Sequence, residues 1–206
     1  MESNEIALEN LSEKIKKCTA CPLYKGTTNA VSGEGDPNAK IFFIGEGPGY
    51  FEDQSGRPFV GRAGKLLDST LEKVGLKRSE VFIGNVVKHR PPENRDPFPS
   101  EILSCSHWLD QQLLIIRPKI VVTLGRFSMA KFLPSVKISA VHGQARRVGV
   151  YIVIPMYHPA AALRGTGMMQ AFQEDFLKNK ELLQNPDQGF MIEKDPDEDT
   201  NQVKLF

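Results

Sequence analysis

The chain has 206 residues, of which 40% are hydrophobic and 25% are charged, and its formal net charge is +1. No apolar run approaches the roughly 20 residues of a membrane-spanning helix, which argues against an integral membrane protein. The N-terminal segment lacks the apolar core of a secretory signal, so we expect a cytoplasmic protein of one domain with a short appendage.

Charge and cysteine content narrow the function classes. Residues 186–206 hold six acidic residues and two lysines, a net charge of −4, which leaves +5 on residues 1–185. A mildly basic body is compatible with nucleic-acid binding without requiring it. Three cysteines, an odd number in a protein expected in the cytoplasm, favour a metal or cluster site over a disulfide framework.

Apolar periodicity predicts strands and helices that alternate along the chain. The first helix covers 5–17 and leads into a Cys-x-x-Cys pair. Predicted strands follow at 40–44, 81–87, 119–124 and 151–155. Further helices are predicted at 62–74, 99–117, 126–133 and 168–183, with a hairpin-like region at 136–150. This order predicts an α/β protein, a three-layer α/β/α sandwich around a mostly parallel four-stranded central sheet.

The loop after the first predicted strand is unusually long. It begins with the glycine-rich run at 45–49, includes the acidic Glu52 and Asp53, and holds Phe59 between two glycines. About 17 residues without regular structure are predicted here, and compact domains seldom keep such a loop without a use. Glycines let a backbone turn sharply and approach a ligand closely, so this loop is a candidate pocket wall.

Three polar residues stand where predicted strands end. Glu46, Asn85 and His158 each end or follow an apolar run. The carboxyl ends of parallel strands meet at one edge of a sheet, where α/β proteins bind their ligands. Each residue alone has a plain structural interpretation, but their joint placement predicts a site at this edge.

Four segments in consistent order resemble the family 4 uracil-DNA glycosylases, and the resemblance covers about residues 8–184. These segments read GEGPGYFEDQSGRPFVGRAG, GNVVKHRPPENRDP, IRPKIVVTLG and YHPAAALR. The resemblance implies an α/β/α sandwich that flips uracil out of DNA and hydrolyses its N-glycosidic bond, leaving an abasic site in base-excision repair. It also implies a 4Fe-4S cluster held by four cysteines.

The same resemblance assigns roles to single residues. It places Glu46 and Gly47 at the uracil pocket, stacks the flipped base on Phe59, and has Asn85 read the pyrimidine edge. His158 is the histidine near uracil O2. A carboxylate is then needed to steady the cationic sugar or orient water, for which Glu46 and Glu52 are the candidates and Asp53 a third.

The cluster motif departs from the family pattern at one position. Cys18, Cys21 and Cys105 match three ligands, but His89 stands where the fourth cysteine is expected. Three possibilities follow: a cluster held by three cysteines and a histidine, a three-cysteine cluster with a labile iron, or no cluster. We expect the cluster to be retained, and a zinc site with the same four ligands is a further option.

Contacts to DNA and to a partner are also expected. Loop arginines are candidate phosphate ligands, and Leu163 is a candidate wedge for the vacated base position. The candidate arginines are Arg57, Arg95 and Arg164.

Residues 1–184 form the glycosylase domain, and 185–206 read as a disordered acidic tail. Its final residues resemble the short peptides that bind the bacterial sliding clamp, with Gln202, Leu205 and Phe206 as anchors.

Two alternative functions remain open at this stage. One is a non-catalytic or covalently trapping uracil-DNA binder of the same fold, although the run after His89 shows no histidine-bearing basic insertion of the kind found in trapping relatives. The other is a redox or metal sensor built on the cysteines, which leaves Glu46, Asn85 and His158 unexplained.

We expect a monomer with no membrane partner.

Overall fold

A six-stranded sheet forms the middle layer of the computed structural model, which describes residues 2–187. Its strand order is β1-β3-β2-β4-β6-β5. The strands are β1 Glu34–Gly35, β2 Ile41–Gly45, β3 Phe82–Asn85, β4 Ile120–Leu124, β5 Arg146–Val148 and β6 Tyr151–Met156. The four central strands run parallel, with Phe43 of β2 opposite both Ile83 and Val122. The predicted α/β class and the parallel centre of the sheet are confirmed.

Helices cover both faces of the sheet. They are α1 Asn4–Lys16, α2 Tyr50–Ser55, α3 Arg62–Lys73, α4 Pro99–Ile116, α5 Arg126–Ala130, α6 Ile138–Val141, α7 Pro159–Ala162, α8 Thr166–Lys178 and α9 Lys180–Gln184. Short 3-10 turns lie at Pro22–Tyr24, Arg78–Glu80 and Pro92–Asn94. In the described part of the chain, no helix is long and apolar enough to cross a lipid bilayer.

The predicted strand count of four was wrong, because the sheet has six strands. The two additional strands, β1 and β5, pair antiparallel with β3 and β6 at the two edges of the sheet. Each is only two or three residues long and is mostly exposed or half-buried. Short edge strands of this kind carry no buried apolar run, so the periodicity that identifies a central strand is missing.

Two helix predictions also need correction. The loop after β2 was expected to lack regular structure, yet it contains α2, whose six residues are too few to show a helical period. The single helix predicted over 168–183 is divided at Asn179. The Asn179 side chain donates to the carbonyls of Gly143 and Asp175, which stabilises the break between α8 and α9.

Alternate side chains of the central strands point into two separate cores. Phe42, Val121 and Val153 pack with α4 on one face of the sheet. On the other face, a second core forms between the strands and helices α3 and α8. It contains Phe43, Val122, Ile154, Leu67, Leu71, Phe172 and Phe176. These two cores establish the predicted three-layer sandwich.

The parallel strands bring their carboxyl ends to a common edge. β2 ends at Gly45, β3 at Asn85, β4 at Leu124 and β6 at Met156. Helix α9 ends at Gln184, and the domain boundary expected there stays a prediction. Most of the predicted acidic tail, with its Gln202, Leu205 and Phe206 anchors, lies outside the described residues.

Candidate active site

A cleft of about 700 Å³ opens at the carboxyl ends of the four parallel strands. Most of the catalytic, uracil-binding and DNA-binding residues expected from the sequence line it together, although they come from distant parts of the chain. They are Glu46, Gly47, Glu52, Phe59, Asn85, Arg95, His158 and Arg164. The fold therefore assembles one site from the ends of separate strands, as open parallel sheets do.

Phe59 forms one wall of the cleft in a strained backbone conformation. Its φ is 51°, a left-handed value that costs a non-glycine residue about 1–3 kcal/mol. The ring is buried and its centroid lies 5.7 Å from that of the His158 ring, with an interplanar angle of 28°. A Cβ on Gly45 would lie 2.5 Å from Phe59 Cζ, and one on Gly64 would lie 1.7 Å from the Phe59 carbonyl oxygen. Both glycines are needed for the chain to approach this residue so closely.

Asn85 presents an unused hydrogen-bond acceptor beside that ring. Its side chain is 1% exposed, and Oδ1 has no hydrogen-bond partner among the residues that the structure describes. The same Gly45 Cβ position would lie 2.4 Å from Oδ1, so the amide and the phenyl ring adjoin the same glycine. Leaving a buried acceptor unpaired costs about 1–3 kcal/mol, which is expected where a ligand completes the bond.

His158 lies at the start of α7 and is held as a neutral imidazole. Nδ1 accepts a hydrogen bond from the Ala160 N–H at 3.1 Å. Burial lowers the pKa of His158 to about 4, and the positive charge of Arg164 contributes to this. At neutral pH the ring proton therefore resides on Nε2, the nitrogen left free to donate.

The two candidate carboxylates have different environments. Glu46 lines the cleft, burial raises its pKa, and its Oε1 accepts one long hydrogen bond of 3.3 Å from the Phe127 N–H. Glu52 is occupied by three backbone N–H groups, those of Val60, Gly61 and Gly49, at 2.9, 2.8 and 3.2 Å. Glu46 therefore keeps more of its acceptor capacity open towards the cleft, whereas Glu52 braces the Phe59 loop.

The third candidate carboxylate is committed elsewhere. Asp53 is buried and accepts the N–H groups of Thr28 and Asn29 at 2.9 and 3.3 Å. It ties α2 to the segment before β1, and it is not among the residues that line the cleft. A structural role explains its burial.

The predicted DNA contacts fall in several environments. Arg164 lines the cleft, and Leu163 is about one-third exposed at the end of α7. Arg95 also lines it, but its guanidinium makes two hydrogen bonds to the buried Glu101 at 2.7 and 2.9 Å. Arg57 is exposed, pairs with Glu34 at 2.7 Å and does not line the cleft. These four assignments stay predictions.

The three cysteines lie near one another beside α4. Burial raises the pKa of Cys105 to about 11, and the Cys21 and Cys18 thiols contribute to the rise. Cys105 Sγ accepts the backbone N–H of Lys88 at 3.3 Å, and Cys18 Sγ accepts the indole N–H of Trp108 at 3.2 Å. No three His, Cys, Asp or Glu side chains within residues 2–187 are arranged to hold a single metal ion. The cluster and the zinc alternatives both stay predictions.

His89 directly follows Lys88, whose backbone N–H donates to Cys105 Sγ. Its side chain is buried, which lowers its pKa, while the negative charge of Asp53 acts in the opposite direction. The imidazole is thus neutral in a buried setting, the form in which a histidine binds metal.

Sequence reasoning missed Lys88, whose side chain is fully buried. Its Nζ donates to the Asn85 carbonyl at 2.8 Å and to Gln112 Oε1 at 2.6 Å. A lysine directly after the apolar pair at 86–87 was the available signal. Arg126, which lines the cleft beyond β4 and pairs with Asp96, was also missed, although β4 ends at the same edge as the other parallel strands.

Known proteins share much of this sequence. The model of the uracil DNA glycosylase superfamily matches residues 32–182. The type-4 uracil-DNA glycosylase of Sulfurisphaera tokodaii is 47% identical over 190 residues, 87% of this chain and 86% of the relative. The type-4 uracil-DNA glycosylase of Thermotoga maritima is 43% identical over 188 residues, which are 89% of this chain and 98% of the relative. That of Saccharolobus solfataricus is 45% identical over 186 residues, which are 85% of this chain and 86% of the relative. The chain belongs to the uracil DNA glycosylase superfamily and, within it, to the type-4 uracil-DNA glycosylases.

Proposed function

We propose that this protein is a monofunctional uracil-DNA glycosylase, which hydrolyses the N-glycosidic bond of a flipped uracil and leaves an abasic site. The observation that carries the proposal is the buried Oδ1 of Asn85, which has no hydrogen-bond partner among residues 2–187 and lies beside the Phe59 ring in a cleft that also contains His158. An aromatic ring beside an unpaired amide suits a planar base with a polar edge.

Recognition follows from hydrogen-bond polarity. Uracil presents an N3–H donor next to the O4 acceptor, which matches the Oδ1 acceptor and the Nδ2 donor of Asn85. Cytosine presents an acceptor and a donor in those positions, so the same amide leaves buried groups unpaired and rejects it. Stacking on Phe59 returns ~1–3 kcal/mol, which offsets part of the few kcal/mol needed to flip the base.

Bond cleavage builds negative charge on uracil and positive charge on the sugar. The Nε2–H of neutral His158 donates to uracil O2 and stabilises the developing anion, in the manner of an oxyanion-hole donor. Glu46, whose pKa is raised by burial, then orients water or steadies the cation once it is deprotonated. The water attacks the sugar C1′, its proton is released, and uracil leaves with the bonding electron pair.

Site variants test this proposal on a single-stranded oligonucleotide that contains one uracil. We expect the wild-type protein to release free uracil, and Asn85→Ala and His158→Ala to lose most of that activity while remaining folded. A matched oligonucleotide with cytosine in the same position should release no base. Wild-type activity in a folded Asn85→Ala or His158→Ala protein would contradict the role assigned to that residue.

We also propose that Cys18, Cys21, Cys105 and His89 hold a 4Fe-4S cluster. The donor set supports this, because three thiols lie together and two of them already accept N–H groups, contacts that stabilise ligated sulfur. Bound there, the cluster would tie the segment after α1 to α4 and take no part in bond cleavage.

The buried charge on Lys88 gives independent support for thiolate ligation. Its ammonium is enclosed, and its two side-chain hydrogen bonds go to uncharged oxygens of Asn85 and Gln112. A buried cation is costly unless negative charge lies nearby, and Cys105 would act favourably on it only as a thiolate, the form that its raised pKa disfavours without a ligated metal. Ligated thiolates would supply that charge, whereas neutral thiols do not. Iron analysis and visible absorbance of anaerobically purified protein test this, with Cys105→Ser expected to lose both signals.

The C-terminal residues suggest a further partner. We propose that Gln202, Leu205 and Phe206 bind the DNA sliding clamp, because a short peptide with two apolar anchors at the end of an acidic tether suits docking into a groove. Deleting residues 202–206 should abolish clamp binding and leave uracil release from short oligonucleotides unchanged. Clamp binding that survives the deletion would refute this assignment.

A further inference from the structure

Arg78 contacts the backbone of the loop that carries Phe59. It lies in the 3-10 turn Arg78–Glu80, and its guanidinium donates to the carbonyl oxygen of Pro58 and, at 3.3 Å, to that of Phe59. Its side chain is 22% exposed and does not line the cleft. An arginine that caps two consecutive carbonyls fixes the orientation of both peptide planes.

The guanidinium is itself anchored by two carboxylates. Glu34 of β1 accepts a hydrogen bond from Arg78 Nε at 2.9 Å, and Asp68 of α3 accepts one from Nη1 at 2.8 Å. Burial alone would raise the pKa of Glu34, but hydrogen bonds from Arg57 and Arg78 hold it below its usual value. Arg78 thus connects the sheet edge, helix α3 and the loop through a planar fork of donors, a geometry that lysine cannot reproduce.

The loop needs such a brace because Phe59 has a left-handed backbone. A residue other than glycine keeps this conformation only where several surrounding contacts enforce it. Gly64 admits the Phe59 carbonyl against α3, and Glu52 holds the next two N–H groups of the loop, those of Val60 and Gly61. Arg78 supplies the remaining restraint, on the carbonyls before and at Phe59.

We propose that Arg78 is a positioning residue for uracil binding, one that holds the strained Phe59 backbone so that the phenyl ring forms the stacking surface for the flipped base. The inference rests on the proposed glycosylase function. Arg78 does not touch the base, so it acts through the orientation of the Phe59 ring.

This role predicts a specific kinetic signature. Stacking on Phe59 holds the base before and during bond cleavage, so losing it weakens the ground state and the transition state alike. Such a loss raises KM and leaves kcat nearly unchanged. For Arg78→Met we expect KM for a uracil oligonucleotide to rise about tenfold, part of what stacking on an aromatic ring contributes, with kcat within about twofold.

Three further variants separate positioning from simple stability. Lys77→Met removes the neighbouring cation, whose pairing with Glu80 is exposed and does not reach the loop, and it should leave KM unchanged. Arg78→Lys retains the charge near Glu34 but has a single donor nitrogen, so it should recover thermal stability more fully than KM. In a Phe59→Leu background, where the ring is absent, Arg78→Met should raise KM by less than about twofold.

Either of two results would overturn the inference. One is a folded Arg78→Met protein with wild-type KM. The other is a rise in KM on Arg78→Met that is as large in the Phe59→Leu background as in the wild type. If Arg78→Met does not fold, Arg78→Lys decides by the same comparison, with and without the Phe59 ring. Failure of the wild-type protein to release uracil removes the proposed function and this inference together, whereas uracil release with an unchanged KM removes this inference alone.

Discussion

Replacing Asn85 by leucine should stabilise the protein and inactivate it. Asn85 Oδ1 is buried and has no hydrogen-bond partner in the described part of the chain, so the free protein carries the cost of an unpaired acceptor. Leucine has a similar shape and no polar atoms, which removes that cost and keeps the site filled. The same change removes the acceptor and the donor that we assign to uracil recognition.

Both magnitudes follow from this geometry. Relieving one unpaired buried acceptor is worth about 1–3 kcal/mol, and about 1 kcal/mol moves the melting temperature of a domain of this size by about 2–4 °C. Uracil, in contrast, would place its N3–H and O4 against methyl groups at about 1–3 kcal/mol each. The expected fall in kcat/KM is therefore about 10²- to 10⁴-fold.

Calorimetry and a uracil-release assay on the same preparations measure the two effects, and Thr123→Val is the matched control. Thr123 Oγ1 is the other buried side-chain oxygen without a partner within residues 2–187, and Thr123 does not line the cleft. Its replacement should raise the melting temperature while kcat/KM stays within about twofold of wild type.

The reasoning fails if Asn85→Leu lowers the melting temperature or retains wild-type kcat/KM. The first result would mean that Oδ1 is satisfied in the free protein. The second would mean that the amide does not read the base.

Other predictions address the acid–base groups and the cluster. Glu46→Gln should lower kcat by about 10²- to 10⁴-fold without loss of stability, whereas Glu52→Gln should lower the melting temperature because three N–H groups lose a charged acceptor. The ionisation of His158 should add no inflection near 6.5 to the pH profile of kcat/KM, since His158 stays neutral down to about pH 4. The acidic limb of the profile should follow Glu46 and disappear in Glu46→Gln, because burial raises the pKa of this carboxyl and its carboxylate form is required. The unfolding free energy should fall as pH drops from 6.5 to about 4, because over this range the histidine binds a proton in the unfolded chain but not in the folded protein. pH-dependent calorimetry on His158→Ala would isolate this contribution. His89→Cys should retain iron and lower the reduction potential of the cluster, measured by voltammetry, because imidazole ligation raises it.

The parallel core of the sheet could be predicted because its signal is local and strong. β2 and β4 are short, mostly apolar runs whose residues are all buried. β2 ends in Gly45, and Gly125 follows β4. The edge strands escaped prediction because pairing at a sheet edge is decided by neighbours distant in sequence. Glu34 and Gly35, which form β1, carry no periodic pattern at all.

The site was predictable to the extent that strand ends carry unusual polar residues. Asn85 and His158 could be placed at one edge from strand order alone, and the structure brings both against Phe59. The division of labour between Glu46 and Glu52 could not be predicted, because it depends on which backbone N–H groups the folded loop turns towards each carboxylate. Arg78 was invisible for the same reason, since its contacts join three segments that only the fold brings together.

The identity and amount of the product test the central claim most directly. With a single-stranded oligonucleotide carrying one uracil, in excess over protein, we predict one free uracil for each abasic site and many turnovers per protein molecule. Mass spectrometry of the released base, together with alkaline cleavage of the DNA, measures both products. No free uracil from folded, iron-containing protein, or one covalent protein–DNA adduct per molecule, would contradict the account.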